Sequence, residues 1–156
     1  MMPHHVLRSA LLILLASACA QAADVPAPAA APPIDLQAMA AAHYEGYGQA
    51  LANGQRSAIP GFYHPDGALI VFNGEPQRVS QADLRERYEV AWIPPAWFTW
   101  EDLRFVSLGA DKLIVTGGFR WLTAGEADTA RFIYAAVLVA SDTGMAIIFE
   151  HETLRP

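Results

Sequence analysis

The stretch Met145-Ala-Ile-Ile-Phe-Glu-His-Glu-Thr-Leu-Arg155 reads as one long strand. Strict period-two alternation places Ile147, Phe149, His151 and Thr153 on one face, so a polar group ends an otherwise apolar row. Such a row suits a curved sheet with a greasy wall and polar groups converging at a pocket mouth. The same alternation sends Glu150 and Glu152 to the opposite face, toward solvent or a dimer contact. The stretch predicts a pocketed domain, not a specific reaction.

Three more long strands are predicted upstream, at Trp97 to Leu108, Lys112 to Thr123 and Asp128 to Ala140. Gly109-Ala110-Asp111, Ala124-Gly125-Glu126 and Ser141-Asp142-Thr143-Gly144 separate the four as turns, and such short turns make antiparallel neighbours. Earlier, Ala68 to Asn73 and Pro76 to Val79 flank the tight turn Asn73-Gly74. Asp35 caps a helix running to about Ala52, with Asn53-Gly54 as its stop signal. Its apolar stripe is Leu36, Met39, Ala40, His43, Tyr47, Ala50 and Leu51. A short helical segment is expected over Gln55 to Tyr63, and Ser80 caps a third helix from Gln81 to about Trp92, ended by Pro94-Pro95. The fold class is α+β, with a strongly bent antiparallel sheet packed over about three N-terminal helices.

Residues 1–22 have the pattern of a secretory signal peptide, with Arg8 ahead of the apolar run Ala10 to Ala20 and the cleavage pattern Ala20-Gln21-Ala22. In a competing reading, Ala16-Ser17-Ala18-Cys19 resembles a bacterial lipoprotein box and Cys19 carries a lipid anchor. Both readings predict a periplasmic or secreted protein. Residues 23–33 form an Ala/Pro-rich linker, and 34–156 have the length of one domain with a single core.

The chain has formal net charge −6, and removing Arg8 leaves nine basic against sixteen acidic residues. No basic cluster supplies an electrostatic footprint for nucleic acid, and the acidity disfavours anionic lipid surfaces. A small hydrophobic molecule is the expected partner. Cys19 is the only cysteine, and no His-x-His, His-x-x-x-His or cysteine pattern indicates a metal. Neither a Gly-x-Ser-x-Gly elbow nor a glycine-rich phosphate loop is present, and no cofactor is expected.

Four features resemble the nuclear transport factor 2-like superfamily, in its SnoaL-like and ketosteroid-isomerase-like branch. They are Ala52-Asn53-Gly54 after the first helix, Phe62-Tyr63-His64-Pro65-Asp66-Gly67-Ala68-Leu69-Ile70, Val115-Thr116-Gly117, and Ile147-Ile148-Phe149-Glu150-His151. The resemblance implies a cone with a cavity between sheet and helices, and often a homodimer through the outer sheet face. Aligned on Gly54, it places Tyr47 where the isomerases keep a hydrogen-bond-donating tyrosine. It places Val71 where they keep the aspartate that moves the proton, so ketosteroid isomerase chemistry is not expected.

The candidate ligand-binding residues are Tyr47, His43, Trp97, Trp100, Phe149 and His151. His151 is the candidate general base and Tyr47 the candidate hydrogen-bond donor. Each also has a structural reading, as a hydrogen-bonded wall or core residue. Trp92, Trp97, Phe98 and Trp100 crowd Pro94-Pro95, either around a pocket entrance or as packing. Arg104, Arg120 and Arg131 lie on predicted strands, and an inward one needs a carboxylate such as Glu101 or Asp128, or an acidic ligand. Three functions follow: binding of a small apolar ligand, proton-transfer catalysis as a lyase or isomerase, and non-catalytic homodimeric association.

Overall fold

The computed structural model describes residues 35–155. The expected signal peptide, with its alternative lipid anchor at Cys19, and the Ala/Pro-rich linker lie outside the described residues. Helix α1 spans Leu36–Ala52. The Asp35 side chain accepts from the backbone N–H groups of Gln37 and Ala38 at 3.1 and 3.0 Å, satisfying two donors at the helix start. Its buried face is Leu36, Ala40, Tyr44, Tyr47, Ala50 and Leu51. Tyr44 occupies the centre of that face, and His43 lies half-buried at its flank. The expected second helical segment is a 3₁₀ turn, Ile59–Phe62, because Pro60 near its start favours a short tight turn.

Strands β1 (Ala68–Phe72) and β2 (Glu75–Val79) form a hairpin. Its turn residues Asn73 and Gly74 have φ of 50° and 88°, as a type I′ connection requires. Ser80 and Asp83 form a reciprocal capping box at the start of α2, Gln81–Arg85. The chain then widens into a π-helical segment, Glu86–Ala91, closed by a Trp92 N–H bond to the Arg87 carbonyl at 2.7 Å. Strands β3 (Trp97–Ser107), β4 (Lys112–Leu122), β5 (Ala130–Ser141) and β6 (Gly144–Arg155) follow.

The sheet order is β2-β1-β6-β5-β4-β3. The last four strands form the expected antiparallel meander, but β6 returns beside β1 in the same direction. The sheet is therefore mixed rather than wholly antiparallel, and two helices plus a 3₁₀ turn replace the expected three.

Two bulges set which side chains face the core. On β6, Phe149 pairs with Val137 while Ile147 pairs with Leu138, so Ile148 is an extra residue. One inserted residue reverses the alternation. Beyond it, Glu150 and Glu152 share the inner face with Ile70, Phe72, Tyr134 and Ala136, and Phe149, His151 and Thr153 turn to the outer face. This overturns the inward placement of Phe149 and His151 and the outward placement of Glu150 and Glu152. On β3 a second bulge lies between Glu101 and Arg104, with Asp102 at φ 50°.

Gly67 has φ of 88°, and a Cβ there would meet the Val79 carbonyl oxygen at 2.0 Å, where α2's entry crosses the start of β1. Gly67→Ala is expected to lower unfolding free energy by at least about 2 kcal/mol. A denaturant midpoint equal to that of the unmodified protein refutes this.

Candidate functional site

Row by row, the inner sheet face changes from apolar to polar. Leu113, Leu138 and Ile147 form one row, Val115, Ala136, Glu150 and Ile70 the next, then Gly117, Tyr134, Glu152 and Phe72. Phe119 and Phe132 continue toward the open end, stacked with ring centroids 4.6 Å apart.

Glu150 is 2% exposed, yet it is fully partnered. Tyr63 donates to its Oε2 at 2.6 Å and Tyr134 to its Oε1 at 2.8 Å. Because those two hydroxyls give their protons to Glu150, they accept from the next layer. Tyr63 accepts from Tyr47 at 2.8 Å and Tyr88 at 3.1 Å, and Tyr134 accepts from Tyr44 at 2.9 Å. Burial pushes the hydroxyls of Tyr44, Tyr47, Tyr63, Tyr88 and Tyr134 up, so all five stay protonated donors. Two donors thus reach the carboxyl directly, and three more hydroxyls support those two.

Burial also raises Glu150, against the hydrogen bonds from Tyr63 and Tyr134. Two residues along the same face, Glu152 is pushed up to about 8, first by burial and then by the charge of Glu150, while Arg87 pulls the other way. If Glu150 were neutral, its own proton would need an acceptor and part of the tyrosine chain would have to reverse. Hydrogen bonds from two hydroxyls offset part of the burial cost at Glu150, and among the described residues none does so at Glu152, so Glu150 is the more readily charged of the pair and its charge raises Glu152. Among the described residues no hydrogen bond reaches the Glu152 carboxyl.

Glu152 faces a cleft at the open end of the sheet. One lobe, 370 Å³, is walled by Leu51, Trp92, Phe119, Trp121 and Phe132. The other, 560 Å³, lies toward the β1–β2 hairpin and reaches Glu150, Asn73 and Gln77. Phe72, Arg87, Tyr88 and Glu152 line both lobes. The π-helical turn carries Arg87 and Tyr88 to this position, and an Arg87 hydrogen bond to the Gln77 side chain at 2.7 Å steadies the guanidinium.

The residues singled out in the sequence are not gathered here. Tyr47 is buried behind Tyr63 and lines neither lobe. Trp100 is inward but packs against Tyr44, Phe98 and Tyr134, its indole N–H donating to the Tyr44 carbonyl at 3.1 Å. Trp97 is 44% exposed on the outer face. His151 lies outside and its Nε2 is 3.2 Å from the Thr153 hydroxyl. Phe149 shares its side. His43 lines a separate 380 Å³ hollow beside Phe62 and Met145, and burial lowers its pKa to about 4, against a backbone hydrogen bond at Met145. Among the described residues its buried Nε2 has no hydrogen-bond partner. Val71 pairs with His151 and shares its side, away from the cleft. Among the described residues no group of three or more His, Cys, Asp or Glu is placed to hold a metal ion.

The residues missed by sequence reading are Glu150, Glu152, Tyr63, Tyr88, Tyr134 and Arg87. Alternation excluded the two glutamates because the bulge is not apparent in the run Ala-Ile-Ile-Phe. Tyr63 stands at the end of the expected short helical segment, and nothing in linear spacing links it to Tyr134.

No family model matches the chain, and no curated protein matches it by sequence. Solved structures do match its shape. A nuclear transport factor 2-like protein of unknown function from Shewanella oneidensis superposes with a TM-score of 0.66 at 14% identity, covering 75% of this chain and 98% of its own. A ketosteroid isomerase-like protein from Erwinia carotovora atroseptica gives 0.66 at 18% identity, covering 78% and 98%. A hexachlorocyclohexane dehydrochlorinase from Novosphingobium barchaimii gives 0.62 at 15% identity, covering 77% and 86%. The bent sheet, its helices and the inner cleft define a nuclear transport factor 2-like fold, as the sequence resemblance implied.

Because Glu152 is raised in the folded state, the native protein binds more protons than the unfolded chain between its ordinary carboxyl range and about pH 8. Its contribution to stability is present at low pH and is lost as pH rises through 8. His43 acts oppositely, but only below about pH 6.5, where its lowered value makes acid destabilising. Between about pH 7 and 8 stability is therefore expected to fall, by less than about 1.4 kcal/mol per pH unit, and to level off above pH 8. Glu152→Gln flattens that slope. Chemical denaturation across this window checks it, and an equal slope in both proteins overturns the assignment.

Proposed function

We propose that this protein binds a small, largely apolar molecule in the cleft, with the aromatic rings as walls and Glu152, Tyr88 and Arg87 as polar contacts. The observation that carries this reading is a carboxyl that has no hydrogen-bond partner among the described residues and faces a cavity bounded by Phe72, Trp92, Phe119, Trp121 and Phe132. Cavities of this size and lining suit compact organic ligands, whose orientation a few polar groups fix. The polar contact is Glu152 in place of His151, which the bulge turns away. We also propose export and homodimeric association for the protein. Association through the outer sheet face draws on its apolar row, Ile114, Val137, Phe149 and Leu69.

A second reading, proton-transfer catalysis, is favoured by one observation. Glu152 is held near pH 8 in reach of the cleft, so it gives and takes a proton near neutrality more readily than an ordinary carboxyl. In this reading Glu152 is the acid–base group and Tyr88 the donor to a substrate oxygen. The structural neighbours include a ketosteroid isomerase-like protein and a hexachlorocyclohexane dehydrochlorinase, and their likeness to this chain is one of fold.

Thermal shift of the full chain against steroids, terpenoids, aromatic acids and quinones tests the binding reading. A compound that raises the melting temperature is expected to lose at least tenfold in affinity in Trp121→Ala, which removes a wall of the cleft, and to lose little in Trp97→Ala. Equal losses in both variants overturn the placement of the site. For any compound turned over, Glu152→Gln abolishes turnover while retaining binding; full activity in that variant eliminates the catalytic reading.

A further inference from the structure

We propose a second binding site, for a small oxyanion of the carboxylate or phosphate type, in the arginine-walled trough on the outer face of the sheet. Arg120 on β4 pairs directly with Arg131 on β5, which pairs directly with Arg155 on β6. Three guanidinium groups therefore stand side by side across three strands, an arrangement that repels. Arg104 on β3 joins them at the trough, placed there by the bulge that follows Glu101.

Compensation within the chain covers only half of this cluster. Glu101 accepts from Arg131 through Oε2 at 2.7 Å and meets Arg120 through Oε1. Both of its oxygens are thereby occupied. Among the described residues no carboxylate pairs with Arg104 or Arg155, although the chain as a whole is acidic, with net charge −6. Asp102 also lines the trough but is not ion-paired with any arginine among the described residues, so the lining sets Arg104, Arg131 and Arg155 against Glu101 and Asp102 and keeps a net positive charge that attracts anions on an acidic protein.

The trough also has the shape of a site. Its volume is 280 Å³, and Gly118 lies at its floor between Glu101 on β3 and Ile133 on β5. A Cβ at Gly118 would come within 2.6 Å of the Phe132 carbonyl oxygen, so that position stays without a side chain and the floor stays open. An oxyanion seated above Gly118 meets the planar forks of Arg104, Arg131 and Arg155, which match carboxylate and phosphate geometry. The site is on the opposite face from Glu152, so it stands or falls independently of the ligand cleft. Its position also separates it from the apolar row at Val137 and Phe149, three rows along the sheet.

Isotope-labelled full-length protein titrated with sodium phosphate, and separately with sodium acetate, at ionic strength held constant with sodium chloride, tests this. Saturable amide shifts are expected at Gly118, Ile133 and Thr153, with the indole signals of Trp92 and Trp121 unmoved. A response to phosphate alone assigns a phosphate ligand, to acetate alone a carboxylate; either supports the site. The double variant Arg104→Gln/Arg155→Gln is expected to weaken binding at least tenfold, and Arg104→Lys/Arg155→Lys to recover part of it, both keeping the native spectrum elsewhere. Shifts that remain linear in both titrations, or an affinity unchanged in the double glutamine variant, overturn the proposal.

Discussion

A carboxyl group buried at the centre of a sheet must be surrounded by donors, and the packing around Glu150 follows from that requirement. Tyr63 and Tyr134 reach it directly, and Tyr44, Tyr47 and Tyr88 reach those two. The five rings come from α1, the segment before β1, the π-helical turn and β5. One polar group therefore ties every layer of the domain to the last strand. Leaving it without donors would cost several kcal/mol, comparable to a large share of a small domain's stability. The rings also supply the apolar area that makes the interior coherent, with Trp100 and Phe98 extending the cluster toward β3.

That arrangement creates an asymmetry along β6. Glu150 accepts one hydrogen bond at each oxygen, whereas Glu152, next on the same face beside the cleft, receives none from the described residues. The charge held on the first raises the proton affinity of the second, and Arg87 limits the rise. Stability and chemistry meet in this pair: the tyrosines stabilise one carboxylate, and the other becomes a poised hydrogen-bonding group. The π-helical turn serves the same end, because its extra width brings Tyr88 into the network while Trp92 reaches the cleft wall.

The outer face obeys different rules. There alternation brings His151, Thr116, Ala135 and Val71 into one row, with apolar side chains on one side of it and arginines on the other. The sequence left Glu101, Asp128 and an acidic ligand open as partners of an inward arginine; Arg120 and Arg131 both meet Glu101, and all three groups lie on the outer face. Arg120 lies on the strand next to Glu101, whereas Arg131 reaches it from one strand further across the sheet. Which face they share was not legible in the sequence.

Much of the fold was legible in local chemistry. Asp35 and Ser80 as caps, Asn73-Gly74 as a turn and the short links between long strands act over a few residues, so their signals survive in linear order. The α1 stripe correctly buried Tyr47, though its bonding partner Tyr63 was invisible, because hydrogen bonding between remote side chains leaves no periodic trace. The parallel meeting of β1 with β6 was likewise a matter of chain path. By itself the sequence determined the α+β class, the antiparallel meander and the helix starts. Tertiary structure alone decided the site, since one bulged residue at Ile148 reverses every later side chain on β6, and whether a strand bulges is settled by the partner strand and the core it must fill.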